Sequence, residues 1–142
     1  MRKLKPLIIF LFLILLAGKG YCENLDVKDE LKKKIDSLFV LACGGLEKYR
    51  DQAQPAESTL VKMGERAVPF LLEKLTTQSA REKWTLIRIL GKIGEPATIP
   101  VIERLDSENK DEVKLAIRIL GEIKDNRAVK PLIGLINKED YN

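Results

Sequence analysis

The chain has 142 residues, a length that suits one domain, and 45% of them are hydrophobic and 32% charged. It contains no histidine, which excludes Ser–His and Cys–His nucleophile pairs and histidine-ligated metal sites. The formal net charge of +4 raises the question of a nucleic-acid partner, and the answer depends on where the basic residues lie.

The first 22 residues follow the order of a secretory signal peptide. The basic stretch MRKLK precedes the apolar run LIIFLFLILLA, and GKGYC follows with small and polar residues. The apolar run is 11 residues long, whereas a membrane-spanning helix needs roughly 18 or more. We therefore expect residues 1–22 to be a signal peptide and the protein to be periplasmic or secreted. Two alternatives stay open, an uncleaved membrane anchor and a lipoprotein modified at Cys22.

The excess of basic charge belongs to this leader. Residues 1–22 hold four of the 25 Lys and Arg residues and none of the 21 Asp and Glu residues, which leaves 21 of each in the rest of the chain. A neutral remainder gives no indication of the basic face that nucleic-acid binding requires. We expect no nucleic-acid partner, and a membrane partner only if the leader is uncleaved or Cys22 is lipidated.

Residues 23–52 are predicted to form an N-terminal helical cap over the region that follows. Asp26 is a candidate N-cap, and apolar residues recur after it at helical spacing. These apolar positions are Val27, Leu31, Ile35, Leu38 and Ala42. Cys43, in the apolar stretch LFVLACGGL, is expected to be a buried thiol, and a disulfide with Cys22 stays open if cleavage falls before Cys22.

Two stretches of the chain that lie 30 residues apart are similar. EKWTLIRILGKIG, residues 82–94, and EVKLAIRILGEIK, residues 112–124, are identical at seven of 13 positions. The same offset extends backwards, where apolar residues recur in matching columns. The columns are Leu60/Leu90/Leu120, Met63/Ile93/Ile123, Leu72/Ile102/Leu132 and Leu75/Leu105/Leu135. A period of about 20–50 residues is typical of solenoids.

Each period contains two helical patterns and no strand alternation. The polar stretches TTQS and DSEN supply Ser and Asn caps, and Gly94 is expected to end a helix. Pro69, Pro100 and Pro131 are expected in first helical turns, where a missing N–H is tolerated. The predicted helices are 66–77, 96–107 and 126–137 in the first set, and 80–93 and 110–123 in the second.

The stretches LGKIGEPATIPVIERL and LGEIKDNRAVKPLIGL resemble HEAT repeats, in particular the short HEAT-like type first noted in phycobilisome lyases. The resemblance covers residues 57–138. It implies an all-α fold, a right-handed α-solenoid of about three helical hairpins over residues 53–142, preceded by an N-terminal helix and a signal peptide. The departures from the family pattern are Lys83 and Lys114 at places where Arg is frequent, and Leu86, Ile87 and Ile117 at places where alanine is favoured.

Candidate binding residues lie on the polar face of the second helices, which the resemblance implies lines the concave side of the stack. Arg88 and Arg118 are one period apart and would form a ladder of fixed cations suited to carboxylates. The alternative is an ordinary solvated face, with Arg118 and Glu122 as an i,i+4 pair. Trp84 falls in a column that is polar one period away, so it is either an exposed interface anchor or a gap filler against an adjacent helix. The candidates for partner binding are Trp84, Arg88, Lys92, Arg118 and Glu122.

We expect an exported, non-enzymatic protein–protein interaction module, a scaffold or assembly factor that binds a protein or peptide on its concave face without cofactor or metal. Two alternatives are a small lyase-like enzyme, implied by the resemblance to bilin lyases, and a membrane-tethered component of an envelope complex. Glu82 and Glu112, one period apart, are expected to be solvated surface acids rather than a catalytic pair. The last hairpin has a first helix but no second, so its bare C-terminal end is a candidate homodimer contact.

Overall fold

The computed structural model describes residues 26–44 and 50–137, and all regular structure in these ranges is helical, with no strand among them. The predicted all-α fold class is therefore confirmed. The predicted signal peptide and Cys22 lie outside the described residues. The helices are α1 (26–42), α2 (Arg50–Met63), α3 (Val68–Leu72), α4 (Ala80–Ile93), α5 (Glu95–Ile102), α6 (Lys110–Ile123) and α7 (Val129–Ile136), with 3₁₀ turns at Gly64–Arg66, Glu103–Asp106 and Asn126–Ala128.

The chain divides into two compact units between Lys34 and Ile35, inside the segment 23–52. In the first unit the described residues 26–34 are helical and largely exposed. The second unit contains α2 to α7 and all five candidate binding residues. The predicted domain boundaries after residues 22 and 52 stay predictions. None of the helices in the described ranges has both the length and the apolar character to cross a bilayer.

The predicted bounds of α4 and α6 are confirmed, because each helix carries its own start and stop signals. Ser79 Oγ accepts a hydrogen bond from the backbone N–H of Glu82, and Asn109 Oδ1 accepts from two backbone N–H groups of α6. Gly94 ends α4 with a φ of 72°, and Lys124 ends α6 in the left-handed conformation with a φ of 59°. The caps expected from TTQS and DSEN are therefore present.

The first helices of the predicted hairpins are shorter than expected. α3, α5 and α7 each adjoin a 3₁₀ turn, so the predicted continuous helices are interrupted. Pro69 and Pro96 are the second residues of α3 and α5, where no N–H is needed, and Pro69 and Pro131 lie in first helical turns as predicted. The expectation for Pro100 is wrong. It is the sixth residue of α5, because that helix begins at Glu95, directly after the end of α4.

The core of the second unit includes two of the apolar columns that recur every 30 residues, whereas Met63, Ile93 and Ile123 of a third column are only half-buried. The buried members of two columns are Leu60, Leu90, Leu120, Leu75, Leu105 and Leu135. Burial of each such side chain contributes roughly 1.5–3 kcal/mol to folding. α4 lies against both α2 and α6, and α3 lies against α5, so helices that are equivalent in the sequence pattern are neighbours in space.

The end of α1 packs on the chain that follows α3. Ile35, Phe39 and Ala42 are buried, whereas Leu38 is only half-buried. The predicted apolar stripe is therefore wrong at Leu38, next to which Phe39 is buried instead, and at Val27, which is exposed. Lys74 Nζ pairs with Asp36 Oδ1 at 2.5 Å and lies 5.4 Å from the centre of the Phe39 ring. Lys74 thus has two partners on α1, the carboxylate of Asp36 and the ring of Phe39.

Cys43, just after α1, is half-buried rather than fully buried. Burial raises the pKa of the Cys43 thiol, and a hydrogen bond with Thr85 of α4 offsets this only in part. A protonated thiol is a weak nucleophile, which agrees with the expected packing role.

Candidate binding surface on helices α4 and α6

The five candidate residues lie on two helices that pack side by side. Trp84, Arg88 and Lys92 belong to α4, and Arg118 and Glu122 occupy the corresponding part of α6. All five side chains are exposed, since the buried sectors of both helices face the core. The structure therefore brings the candidates onto one outward-facing area, here called the α4–α6 surface, but it gives them different partners.

Arg88 and Lys92 share a carboxylate that the sequence reasoning missed. Arg88 Nε donates to Glu57 Oε2 at 2.7 Å, and Lys92 Nζ donates to Glu57 Oε1 at 2.8 Å. Glu57 lies on α2 and is only 7% exposed. In the 30-residue period, Glu57 stands where Ile87 and Ile117 stand later, so an acid in an isoleucine column was the available signal. The two cations thus hold α2 against α4.

The charge of Glu57 is stabilised in place. Burial alone would raise the pKa of its carboxyl, but the hydrogen bonds from Lys92 and Arg88 outweigh burial and hold that pKa below its usual value. Two charge-assisted hydrogen bonds satisfy both carboxylate oxygens, which is the condition under which a nearly buried acid is tolerated. Arg88 and Lys92 are consequently engaged within the chain, and they offer a partner less free charge than the sequence suggested.

Glu122 has a packing role on the same surface. An added Cβ at Gly91 of α4 would lie 3.1 Å from Glu122 Cβ and closer still to its Cγ. The stem of Glu122 therefore covers Gly91, and glycine permits this close approach of α4 and α6. The expected i,i+4 pair of Arg118 and Glu122 is not among the hydrogen bonds and ion pairs of the described residues.

A groove of about 350 Å³ lies along α4 and α6. Its charged groups are the ammonium groups of Lys83 and Lys114, the guanidinium of Arg118 and the carboxylate of Asp111. Within the described ranges, no hydrogen bond or ion pair joins Lys83, Lys114 or Arg118 to another residue. The remaining lining residues, Leu115 and Ile117, are apolar. The α4–α6 groove therefore combines three unengaged cations with an apolar floor, which suits an acidic ligand.

Trp84 is 62% exposed, next to Lys83 in α4. Its ring is therefore not a gap filler in the core, and of the two interpretations of this residue the exposed one describes its position. Large exposed aromatic side chains beside basic groups are common anchors in protein interfaces. Lys83 and Lys114 were noted in the sequence only as departures from the HEAT pattern, although they supply two of the three groove cations.

Glu82 and Glu112 fasten the turns that precede their own helices. Thr77 Oγ1 donates to Glu82 Oε2 at 2.5 Å, and Ser107 Oγ donates to Glu112 Oε2 at 2.7 Å. Arg104 also donates to Glu112, which is buried, so the expectation that this residue is solvated is wrong. Each carboxylate therefore accepts a hydrogen bond from a hydroxyl of the turn before its own helix, and this contact fixes the start of the helix. Among the described residues, no cluster of three or more His, Cys, Asp or Glu side chains is placed to hold a metal ion.

A second charged cluster joins α5 to the 3₁₀ turn before α7. Asp125 accepts hydrogen bonds from the backbone and side chain of Arg127 and from Thr98 Oγ1, the last at 2.9 Å. Arg127 Nη2 also reaches the carbonyl of Glu95 at 3.2 Å. The Arg127 contacts hold the pKa of the Asp125 carboxyl well below its usual range. This cluster is structural, since its groups satisfy one another.

Comparison with known proteins gives no family to set beside this geometry: no family model matches the chain, and no curated protein matches it. The functional conclusion therefore depends on the surface itself. The strongest features of that surface are the exposed indole of Trp84 and the unengaged cations of the α4–α6 groove.

Proposed function

We propose that the chain is a HEAT-like helical-repeat module, a right-handed α-solenoid of about three hairpins, that binds a protein or peptide through its α4–α6 surface. The side-by-side packing of α2, α4 and α6 supports the solenoid, as does the burial of the leucines that recur every 30 residues. In a solenoid each hairpin buries its apolar side against its neighbours, which leaves the polar helix faces as the working surface.

The observation that carries the binding proposal is the position of Trp84. An indole that is 62% exposed contributes little to folding, yet it offers a large apolar area to a partner. The neighbouring groove adds Lys83, Lys114 and Arg118, which can pair with carboxylates of the partner. Arg88 and Lys92 pair with Glu57 inside the chain, so their part is to hold α4 in place rather than to contact the partner. The module acts as a scaffold or assembly factor, without catalysis.

Site-specific photocrosslinking in the producing cell tests this proposal. A photoreactive phenylalanine analogue replaces Trp84 or Arg118 on the α4–α6 surface, and Ile99 or Glu103, which are also exposed but belong to α5 and its 3₁₀ turn, in the controls. We expect one defined crosslinked product from positions 84 and 118 and none from the controls. Absence of that product, or the same product from all four positions, would exclude a partner at this surface.

A binding assay with purified chain follows once the crosslinked partner is identified. The variant Trp84→Ala/Arg118→Ala should lose the partner while keeping its helical circular dichroism, because both side chains are exposed. Arg88 is left in place, since removing it would also disturb the contact of α4 with α2. Full retention of the partner by the double variant would contradict the assignment of the site.

We further propose that residues 1–22 direct export and that the protein works in the periplasm or outside the cell. The order of basic, apolar and polar segments in the leader supports this proposal. Mass spectrometry of the intact protein from its native cell distinguishes the cases. A chain that lacks the leader supports cleavage, an acylated Cys22 indicates a lipoprotein, and an intact leader in the membrane fraction indicates an anchor.

A further inference from the structure

Nothing in the described ranges, 26–44 and 50–137, covers an apolar face on α6 and α7. A pocket of about 300 Å³ lies between them and is lined by Ile117, Leu132, Leu135 and Ile136. Beside it, Ile133 is 53% exposed and Ile136 is 78% exposed. In the preceding period the equivalent residues are the exposed acids Glu103 and Asp106. Two isoleucines of α7 are thus exposed at positions where the preceding period has acids. Exposed apolar residues that lie together are typical of a contact surface.

The packing of α6 on α4 indicates what covers such a face. On α4, Ile87 is buried and the stem of Glu122 from α6 lies over Gly91. One period later, Ile117 is only half-buried, and an added Cβ at Gly121 would meet no atom within 4 Å. The flank of α6 defined by Ile117 and Gly121 thus corresponds to the flank of α4 that receives a helix, and it has received none among the described residues.

The charges beside this flank are basic. At 100° per residue, Lys110 and Lys114 fall on the same side of α6 as Ile117 and Gly121, whereas Asp111 and Glu122 turn toward α4. Within the described ranges, neither Lys110 nor Lys114 forms an ion pair or a hydrogen bond. A helix that docks here meets an apolar centre and a cationic border, so carboxylates on its polar face are favoured.

We propose that the α6–α7 face, formed by Ile117, Gly121, Leu132, Ile133 and Ile136 with Lys110 and Lys114, binds an acidic amphipathic helix of a partner protein. This proposal rests on the proposed function and deepens it, because it names a partner class. The face shares Ile117 and Lys114 with the α4–α6 groove but does not include Trp84. A second copy of the chain cannot supply its own α6 in the same way. The flank that α6 would use, which includes Leu115, is already buried against its own α4.

The probe for the test is derived from α6 itself. A fluorescent peptide carries the sequence of residues 108–124 with Lys110→Glu, Lys114→Glu and Arg118→Glu, and the matched control peptide keeps the native sequence. Fluorescence anisotropy measures the binding of each peptide to the full chain. We expect the acidic peptide to bind at least about tenfold more tightly than the native peptide, because only the acidic one complements the lysines of the face.

A variant of the chain locates the bound peptide. Ile133→Glu/Ile136→Asp copies the acids of the preceding period onto α7, and it should weaken binding of the acidic peptide at least about tenfold. Both side chains are exposed, so circular dichroism and the melting temperature should stay close to those of the wild type. Ile99→Glu, at an exposed isoleucine of α5, should leave the affinity unchanged.

Four results would each overturn the proposal. The first is that the two peptides bind equally or that neither binds, and the second is that the isoleucine variant binds the acidic peptide like wild type. The third is that binding is lost in Trp84→Ala but kept in the isoleucine variant, which would move the peptide to the α4–α6 surface and support the proposed function alone. The fourth is a dimer in sedimentation that the isoleucine variant converts to a monomer, which would assign the face to a second copy. Absence of crosslinks at Trp84 would end the proposed function and leave the peptide result standing.

Discussion

Oε2 of Glu57 in α2 lies 2.7 Å from Nε of Arg88 in α4, although the two residues are 31 positions apart in the chain. The carboxylate is nearly buried, whereas the guanidinium is half-exposed. Without its partners the carboxylate of Glu57 would be a charge shielded from water and unpaired, which is strongly unfavourable. Arg88 should therefore contribute more to the free energy of unfolding than Arg118, its equivalent one period later.

Arg88→Ala should lower the free energy of unfolding by about 1 kcal/mol, since Glu57 loses one of two donors and solvent screens part of the effect. Arg118→Ala, the matched change in α6, should stay within about 0.5 kcal/mol of wild type, because the guanidinium of Arg118 has no ion pair among the described residues. Urea denaturation of both variants measures the difference. Equal losses would mean that the contact with Glu57 does not stabilise the fold.

The same pair predicts an acid dependence. The folded-state pKa of Glu57 is lowered from its ordinary value of 4.5, so the ionised carboxylate contributes stability above that value. This contribution is lost as the pH falls through the folded-state pKa. The advantage of wild type over Glu57→Gln in unfolding free energy should therefore be constant near neutral pH and shrink below about pH 4.5. In a chain that carries Arg88→Ala and Lys92→Ala, Glu57→Gln should instead raise the free energy of unfolding, because the carboxylate has lost both partners. If glutamate at position 57 still gave the more stable chain by the same amount, the ionic explanation would be refuted.

Alanine substitutions at two equivalent glycines should act differently. Gly121→Ala should raise the free energy of unfolding by about 0.5–1 kcal/mol, because alanine is the better helix former and nothing lies within 4 Å of the added Cβ. Gly91→Ala should gain less or destabilise, since its Cβ would meet the stem of Glu122. Glu122→Ala in the Gly91→Ala background should restore the gain. The comparison requires thermal or urea unfolding of the four chains, and identical effects at both glycines would contradict the close contact.

Much of the fold could be predicted from the sequence, because its signals are local. Ser79 and Asn109 begin α4 and α6, Gly94 ends α4, and the leucine columns mark the core. The interruptions of α3, α5 and α7 were missed, since 3₁₀ turns and α-helical turns share their apolar spacing over a few residues. Phe39 was missed because neighbouring apolar residues in α1 leave the direction of the buried face ambiguous.

The surface was harder to predict than the fold. Trp84 is a candidate because it departs from a polar column, and Arg118 because it repeats Arg88 one period later; both are exposed. The partner of Arg88 was missed, because an ion pair between helices depends on how far two long side chains reach across a packed interface. The acid in the isoleucine column, Glu57, carried the signal. Lys83 and Lys114 line a groove whose shape appears only when α4 and α6 are placed together.

Thr98 and Asp125 should behave as coupled residues. Thr98→Val removes the hydroxyl that donates to Asp125 and should cost about 1 kcal/mol, since the threonine is fully buried. Asp125→Ala should lower the melting temperature further, because Arg127 loses its carboxylate and the 3₁₀ turn loses its cap. The double variant should be little worse than Asp125→Ala alone. Strictly additive changes in calorimetry would indicate that the two side chains act independently.

Trp84 is the only tryptophan of the chain, so its fluorescence reports on one place. Its exposure predicts a red-shifted emission and efficient quenching by acrylamide, and Trp84→Phe should change the unfolding free energy by less than about 0.5 kcal/mol. A partner on the α4–α6 surface should shift the emission to the blue and protect the indole. The acidic peptide on the α6–α7 face should do neither, because Trp84 lies on α4, beyond α6. A blue shift of the Trp84 emission on adding the peptide would mean that both ligands bind the same surface. If the crosslinked partner leaves Trp84 as accessible to acrylamide as before, Trp84 is not part of the interface.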